Sequence, residues 1–536
     1  MAVRIGGISR EGAISALVYV LAFLPLASVL HSHFGFPLDD SWIHQVIARN
    51  FAETRVLGFT PGTLTSGSTS ILWTVVLAIN TAFFRWLSPV IYCLLLSIGL
   101  FACIGYAMKR LTEEDGFGGA ASWSFAIGPA LSANFLWFGL IGMEHLLFIA
   151  LCLFWALVWF RSPPLRTVFE RLCLFLLPLM LVLTRPEGLF IVALFLVSIR
   201  VTSRSLRDGL NAATGLVCGL AISCFINWRV SGQPMPGTMR GRQFLFTPNP
   251  GLRGRLHFLG ETAVAITKTW VIRPPQSALH GMGLLINSVA GLLFLLFAYF
   301  AVRRLWLVRA KRLISLCVWA LLVELLYFAV LPAIGHGGRY VAFPLMMFFS
   351  ISFFGLQEFV GEISRNRSAV WLILAVSGLT LFGDSMLIWR HVASAGIDQI
   401  NTEHGAMAVW LDQHLSEDVF QQSQLAAFDI GRIGYQFNGE IVDLGGLVDS
   451  RYLPFLLRGD TSTYLKNRGI RYVVLPTDFD GTGFAKTLAL DRQHGAILSE
   501  VHAVCASPEI ASLAMNATKS ASPCQRLYSI SFIDPR

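Results

Sequence analysis

Residues 69–84 read TSILWTVVLAINTAFF, and how this stretch is placed decides the topology of the whole chain. It is apolar but only about 16 residues long, where roughly 20 are needed to cross a bilayer, and Thr74, Asn80 and Thr81 interrupt it. Around it lie eleven other apolar runs, near 12–31, 88–108, 118–138, 143–160, 170–184, 187–201, 209–228, 282–302, 312–333, 340–360 and 369–389. If 69–84 stays at the interface or re-enters, the basic clusters fall together on the cytoplasmic side. These are Arg4/Arg10, Lys109/Arg110, Arg161/Arg166/Arg171, Arg200/Arg204/Arg207, Arg303/Arg304/Arg309/Lys311/Arg312 and Arg365/Arg367. The short outer loops then keep only Arg185 and Arg339. If 69–84 crosses, the bias reverses. The positive-inside rule therefore favours about 11 transmembrane helices, with the N-terminus in and the C-terminus out.

Composition agrees with a membrane chain. Of 536 residues, 54% are hydrophobic and 14% charged, with a mean hydropathy of +0.62. Soluble chains carry roughly 25% charged residues, so a soluble enzyme, a disordered scaffold and a nucleic-acid binder are excluded. The net charge of +9 marks cytoplasmic loops. The first run follows Arg4 and Arg10 like a secretory signal, yet the many later spans make it an uncleaved first helix.

The expected fold is a mainly α polytopic module over 1–389, with outer loops 32–68 and 229–281, followed by a small C-terminal α/β extracytoplasmic domain over 390–536. In that domain 401–416 reads as an amphipathic helix, Ala426-Ala427-Phe428 and Ile441-Val442 as strands, and 461–468 as a helix. Arg471–Leu475 reads as a strand closed by Pro476. No internal repeat is evident, which weighs against a duplicated transporter. Seven of the nine cysteines lie in or beside apolar spans. Cys505 and Cys524 fall in the outer domain, where an oxidising compartment permits a disulfide.

Polar chemistry concentrates in the first outer loop. Asp39 and Asp40 stand just past the first span, where adjacent carboxylates raise each other's pKa. They suit a general base, a metal site or an anchor for sugar hydroxyls; the plainer reading is a solvated turn with an Asp helix cap. His44 follows Asp40 by four residues, on one face of a short interfacial helix. Arg49 and Asn50 come next, and Gly67-Ser68-Thr69-Ser70 forms a tight turn. Glu144 and His145 interrupt GMEHLLF, Arg185 and Glu187 bracket Pro186, and Arg339-Tyr340 close GHGGRY. Single charges at span ends commonly snorkel, but three such sites on the face of the aspartates point to a common cavity. Converging arginines there suit a phosphate. Arg240, Arg242, Arg253 and Arg255 lie in a Pro/Gly-rich loop suited to an anionic lipid-linked substrate or to anionic headgroups. An ionised Glu324, near mid-span, costs roughly 2.5–3.5 kcal/mol and is expected to be protonated and hydrogen-bonded between helices.

The pieces DDSWIHQVIARN, PGTLTSGSTSILWT, GMEHLLF, TRPEGL, the GRY before Pro344 and DIGRIGYQFNGEIVDLGGLVD occur in order over about 30–450. This ordered set resembles the class C (GT-C) membrane glycosyltransferases, closest to the arabinofuranosyltransferase B family. The resemblance implies an active site at the outer leaflet and a polyprenyl-phosphate-linked sugar as donor. It implies Asp39 as the essential acid with Asp40 beside it, Arg185 and Arg339 for the donor phosphate, and Glu144 as a second acidic position. His44, Arg49, Ser68, Thr69, Glu187, Arg240 and Tyr340 complete the expected substrate-binding set. A divalent ion held by Asp39, Asp40 and Glu144 is left open, and no other cofactor is called for. The chain departs from the family at SGQPMPGTMRGRQF, so the sugar, a pentose such as arabinofuranose or a hexose, stays open. The expected setting is a bacterial inner membrane, and the expected partners are the donor lipid, a cell-envelope glycan or lipid acceptor and membrane lipids, with no nucleic acid. The rival readings are a transporter or flippase of a lipid-linked or anionic solute, and a glycan-binding module on an anchor. Ionisable residues gathered at one face favour the enzyme.

Overall fold

The computed structural model describes residues 9–65, 67–68, 70–161, 168–200, 205–232, 234, 251–267, 282–364, 366–415, 425–436, 440–449, 451–483, 485, 487–512 and 522–533. Helices dominate. In chain order they are α1 (Arg10–Ala27), α2 (Asp39–Thr54), α3 (Ile71–Phe83), α4 (Pro89–Glu114), α5 (Gly119–Ile127) and α6 (Ala133–Leu136). There follow α7 (His145–Trp159), α8 (Val168–Thr184), α9 (Gly188–Val197), α10 (Leu206–Ser231), α11 (Leu252–Thr267), α12 (Met282–Val308), α13 (Lys311–Val330) and α14 (Ala342–Ile363). Among the described residues seven helices are long and apolar enough, by length and composition, to cross a membrane.

Within 69–84, α3 is 13 residues long and N-capped by the Ser70 hydroxyl, which accepts from the Trp73 amide. At 1.5 Å per residue it spans only about 20 Å, short of roughly 30 Å of hydrocarbon. The run 118–138 is not one helix. Pro129 lacks an N–H and breaks it into α5, a 3₁₀ turn over Gly128–Leu131, and α6. Gly128 sits so close to α14 that a Cβ would stand 2.8 Å from the Phe349 carbonyl oxygen. The amphipathic helix expected at 401–416 does not start afresh: α15 (Arg367–Gln399) continues through a π-helical turn, Ile400–Gly405, into α16 (Ala406–His414). That continuous run of 48 residues is more than twice a bilayer's need. Its first half exposes Leu372, Val376, Leu379 and Leu387, whereas Ile397, Ile400, Glu403, His404 and Met407 are buried. The part with exposed apolar side chains therefore ends near Arg390, and the remainder is packed in protein.

The C-terminal sheet has five strands: β1 (Leu425–Ala427), β2 (Val442–Asp443), β3 (Tyr472–Thr477), β4 (Ala496–Cys505) and β5 (Cys524–Phe532). Their order is β2-β1-β3-β5-β4; β2, β1 and β3 run parallel, and β5 is antiparallel to β3 and β4. Pro476 does not close β3 but lies inside it. The Phe428 amide bonds the Val474 carbonyl, so residue 476, two further on, turns its nitrogen to the side where β1 has already ended. No ladder bond is lost there. Two further short helices, α17 (Gly431–Gln436) and α18 (Thr461–Asn467), flank the sheet. Cys505 and Cys524 are register partners on β4 and β5 and form a disulfide.

One face of the sheet is closed by residues from far upstream. Ile43, Val46 and Ile47 of α2, with Phe59, pack against Met407, Leu411, Leu425, Ile433 and Val474. Each such buried side chain stabilises the packing by about 1.5–3 kcal/mol. The first polar loop and the C-terminal domain thus share one core.

Candidate active site

The two aspartates open α2 after the extended Leu38, and successive residues of a helix point about 100° apart. They therefore face different neighbours. Asp39 Oδ2 accepts from the Gly431 amide at 2.7 Å, and Oδ1 accepts from the Arg432 amide at 2.7 Å and lies 2.9 Å from His404 Nδ1. Its carboxylate satisfies the first amides of α17, which have no partner inside that helix. Farther along α2, Arg49 donates to the carbonyls of Tyr435 at 2.9 Å and Gly434 at 3.4 Å. The same helix holds α17 at both ends. Asp40 turns the other way and pairs with Arg339 Nη2 at 2.5 Å.

Arg339 comes from the turn GHGGRY, where Gly335, Gly337 and Gly338 take φ of +70°, +63° and +80°, values that favour glycine. Its guanidinium is buried, 3.5 Å from Met143 Sδ and over the Tyr340 ring. Tyr340 stacks on Tyr327, with ring centroids 5.6 Å apart. Arg185, in the break between α8 and α9, donates to Glu144 Oε1 at 2.9 Å, to Glu187 Oε1 at 3.0 Å and to the Tyr327 hydroxyl at 2.9 Å. The Tyr327 hydroxyl itself donates to Glu187. His44 Nε2 lies 3.8 Å from Glu144 Oε2.

These groups line a cavity of about 410 Å³, a volume within the range of small-molecule sites. Asp40, His44, Glu144, His145, Arg185, Glu187 and Arg339 supply its charged and ionisable lining, and Val182, Leu189, Phe190, Leu220, Leu326 and Val330 are among its apolar lining. Leu447 of the C-terminal domain also lines it, and Gly67 is so close to Val448 that a Cβ would stand 2.2 Å from its Cγ1. Both ring nitrogens of His145, Glu144 Oε2 and Glu187 Oε2 are buried and make no hydrogen bond among the described residues. Buried polar atoms are nearly always satisfied, so these lining atoms point to a ligand carrying both donors and acceptors.

The structure brings Asp40, His44, Glu144, Arg185, Glu187, Arg339 and Tyr340 to the cavity. It places Asp39 and Arg49 on α17 instead. Ser68 belongs to the start of α3, donating to the Ser70 carbonyl at 2.9 Å and lying 2.6 Å from the Thr74 hydroxyl. Thr69 and Arg240 lie outside the described residues. Asp39, Asp40 and Glu144 do not converge, and among the described residues no three His, Cys, Asp or Glu side chains are arranged to hold a metal. Glu324 faces α11, with Thr262 Oγ1 3.5 Å from its Oε2. The sequence reading assigned no role to Tyr327, His404 or Asp429. Asp429 stands in the quoted run DIGRIG, but nothing in its spacing ties it to α2. Tyr327, three residues after Glu324, reads as one more aromatic in an apolar span.

Residues 395–524 match a family described as a domain of unknown function (DUF8728). The matched segment holds His404, Asp429 and Gly431. No curated protein matches the chain.

Proposed function

We propose that the chain is a GT-C-like membrane glycosyltransferase that moves a sugar from a polyprenyl-phosphate donor to a cell-envelope glycan or lipid acceptor. The observation that carries this reading is the lining of the 410 Å³ cavity, which joins a connected cluster of charged groups to a larger set of apolar side chains. An amphiphile with a short polar head matches both. The prenyl chain lies on the apolar wall, and the sugar hydroxyls satisfy His145, Glu144 Oε2 and Glu187 Oε2. Arg185 already gives its donors to Glu144, Glu187 and Tyr327, so its part is to orient the two glutamates. Arg339 is the arginine for the donor phosphate.

The geometry favours Asp40 over Asp39 as the base, because Asp40 lines the cavity while Asp39 is taken up by α17. In the transfer step the acceptor hydroxyl oxygen bonds the anomeric carbon and the bond from that carbon to the phosphate oxygen breaks. The hydroxyl proton passes to Asp40. The leaving polyprenyl phosphate gains the electron pair just as Asp40 loses its charge, so Arg339 exchanges one anionic partner for another. No base of unusual strength is needed, since a phosphate is already a good leaving group.

The proposed setting is a bacterial inner membrane with about 11 transmembrane helices, the N-terminus cytoplasmic and the C-terminal domain extracytoplasmic. The basic loops support this orientation, and the Cys505–Cys524 disulfide suits an oxidising compartment. The test is a donor screen by mass spectrometry with purified protein and polyprenyl-phosphate pentoses and hexoses. Acceptor-dependent release of polyprenyl phosphate is the expected result. Transbilayer movement of an intact labelled donor in proteoliposomes, with no release, would replace the enzyme by a flippase.

A further inference from the structure

A second, smaller cavity of about 90 Å³ lies between the start of α2 and the C-terminal sheet. Its polar lining comes from Asp39 and Asp40 on α2, His336 of the glycine turn, Gln399 and His404 on the long helix, and Asp429, Ser522 and Gln525 of the sheet domain. Asp40 also lines the larger cavity, and among the described residues it is the one common to the two linings. A carboxylate shared by two cavities can face a lipid-borne donor on one side and a second substrate on the other. We infer that this smaller cavity seats the acceptor, and that the acceptor presents there a neutral, hydroxyl-bearing group, the end of a sugar. The inference rests on the transferase reading above and adds to it a role for the domain of unknown function.

The chemistry of the lining selects the ligand class. Among the described residues three carboxylates and no Lys or Arg line the cavity, more negative charge than His404 offsets, so a phosphate or other anion is disfavoured by like charge. Leu38 and Ile400 are the large aliphatic side chains among the described lining residues, too little to hold a lipid tail. Gln525 is 1% exposed, and its Nε2 donates to Asp429 Oδ2 at 2.8 Å and lies 3.2 Å from His404 Nε2. The bond to Asp429 orients the amide, and its Oε1 is buried without a hydrogen bond among the described residues. That is an acceptor atom in need of a donor, and a sugar hydroxyl supplies one. The cavity is much the smaller of the two, so it seats the end of a sugar while the rest of the glycan extends outward.

The experiment uses the full-length protein in detergent with octyl glycosides of arabinose, galactose, mannose and glucose as acceptor probes. Steady-state transfer is measured for wild type, Gln525→Ala and His336→Ala, variants of two lining residues from different parts of the chain, with melting curves to confirm folding. The expected result in each folded variant is an acceptor KM raised about tenfold, with the KM for the lipid donor unchanged within twofold. An unchanged acceptor KM in both variants overturns the inference. So does a wild-type preference for octylamine or octyl phosphate over every neutral glycoside. Absence of turnover by wild type with all donors and acceptors would instead fall on the transferase reading, leaving the two failures distinguishable.

Discussion

Arg339 donates to the Asp40 carboxylate at 2.5 Å, while the adjacent Asp39 carboxylate is bound by two backbone amides of α17. Two neighbouring acids with the same side chain thus differ in what they can do. One faces the large cavity on Arg339, and the other is held in the interface between α2 and the C-terminal domain.

Replacing these acids should separate the two roles. Asp40→Asn is expected to lower sugar transfer by about 10²- to 10⁴-fold while thermal stability stays near wild type, since the amide oxygen still accepts from Arg339. Asp39→Asn offers one acceptor oxygen in place of two, and the amide left over costs about 1–3 kcal/mol of stability. Gly431→Ala should behave like Asp39→Asn, because a Cβ there would stand 2.1 Å from the Asp39 carbonyl oxygen. Melting curves beside polyprenyl-phosphate release distinguish the variants. Full turnover by Asp40→Asn would refute its assignment.

The two arginines should likewise part company. Arg339→Lys keeps a charge but loses the planar fork, and kcat is expected to fall about 10²- to 10³-fold with the protein folded. Arg185→Gln strands Glu144 and Glu187 in a buried site, which costs about 3–5 kcal/mol. Denaturation and turnover measured together should show a kinetic defect in the first and a folding defect in the second.

The α2–α17 junction should be sensitive to alkali. Burial pushes the His404 imidazole down, but the Asp39 charge and hydrogen bond, helped by Asp429 and Glu403, outweigh it and hold His404 up at about 9. A histidine raised in the folded state contributes stability that is complete below about 6.5 and is lost as pH rises through about 9. The melting temperature of wild type should therefore fall between pH 7 and 10, and His404→Gln should flatten that fall. Parallel curves for the two proteins would contradict the assignment.

The disulfide closes a separation of 19 residues, for which loop-closure entropy is worth about 3 kcal/mol. Cys505→Ala/Cys524→Ala is expected to melt the sheet domain lower by that amount. Intrinsic fluorescence of Trp410, which stacks on His502 of β4 at 4.4 Å between ring centroids, offers a local probe. No difference between reduced and oxidised protein would show that the bond adds nothing.

A phosphatase reporter fused after Arg390 should be active and a cytoplasmic reporter at the same site silent. The opposite pattern would break the orientation and the odd number of spans.

Composition and periodicity determined much of this protein. Water excludes a chain this apolar, so the long apolar helices were legible from hydropathy, and the orientation proposed above rests on the basic loops. Which polar residues share a face could be read as well, because span ends alternate sides: Glu144, Arg185 and Arg339 do converge with Asp40. Local breaks were less legible. Pro129 splits a run that hydropathy alone reads as continuous, and β4 and β5 went unread because partial burial blurs their alternation. The direction of each aspartate was decided only by tertiary structure. Asp39 and Asp40 are the same in chemistry and adjacent in sequence. What tells them apart is a turn of about 100° on α2 and partners nearly 300 and 400 residues away, Arg339 and Gly431. Pattern and spacing report on neighbours along the chain; a carboxylate's role is set by whichever donors folding carries to its oxygens.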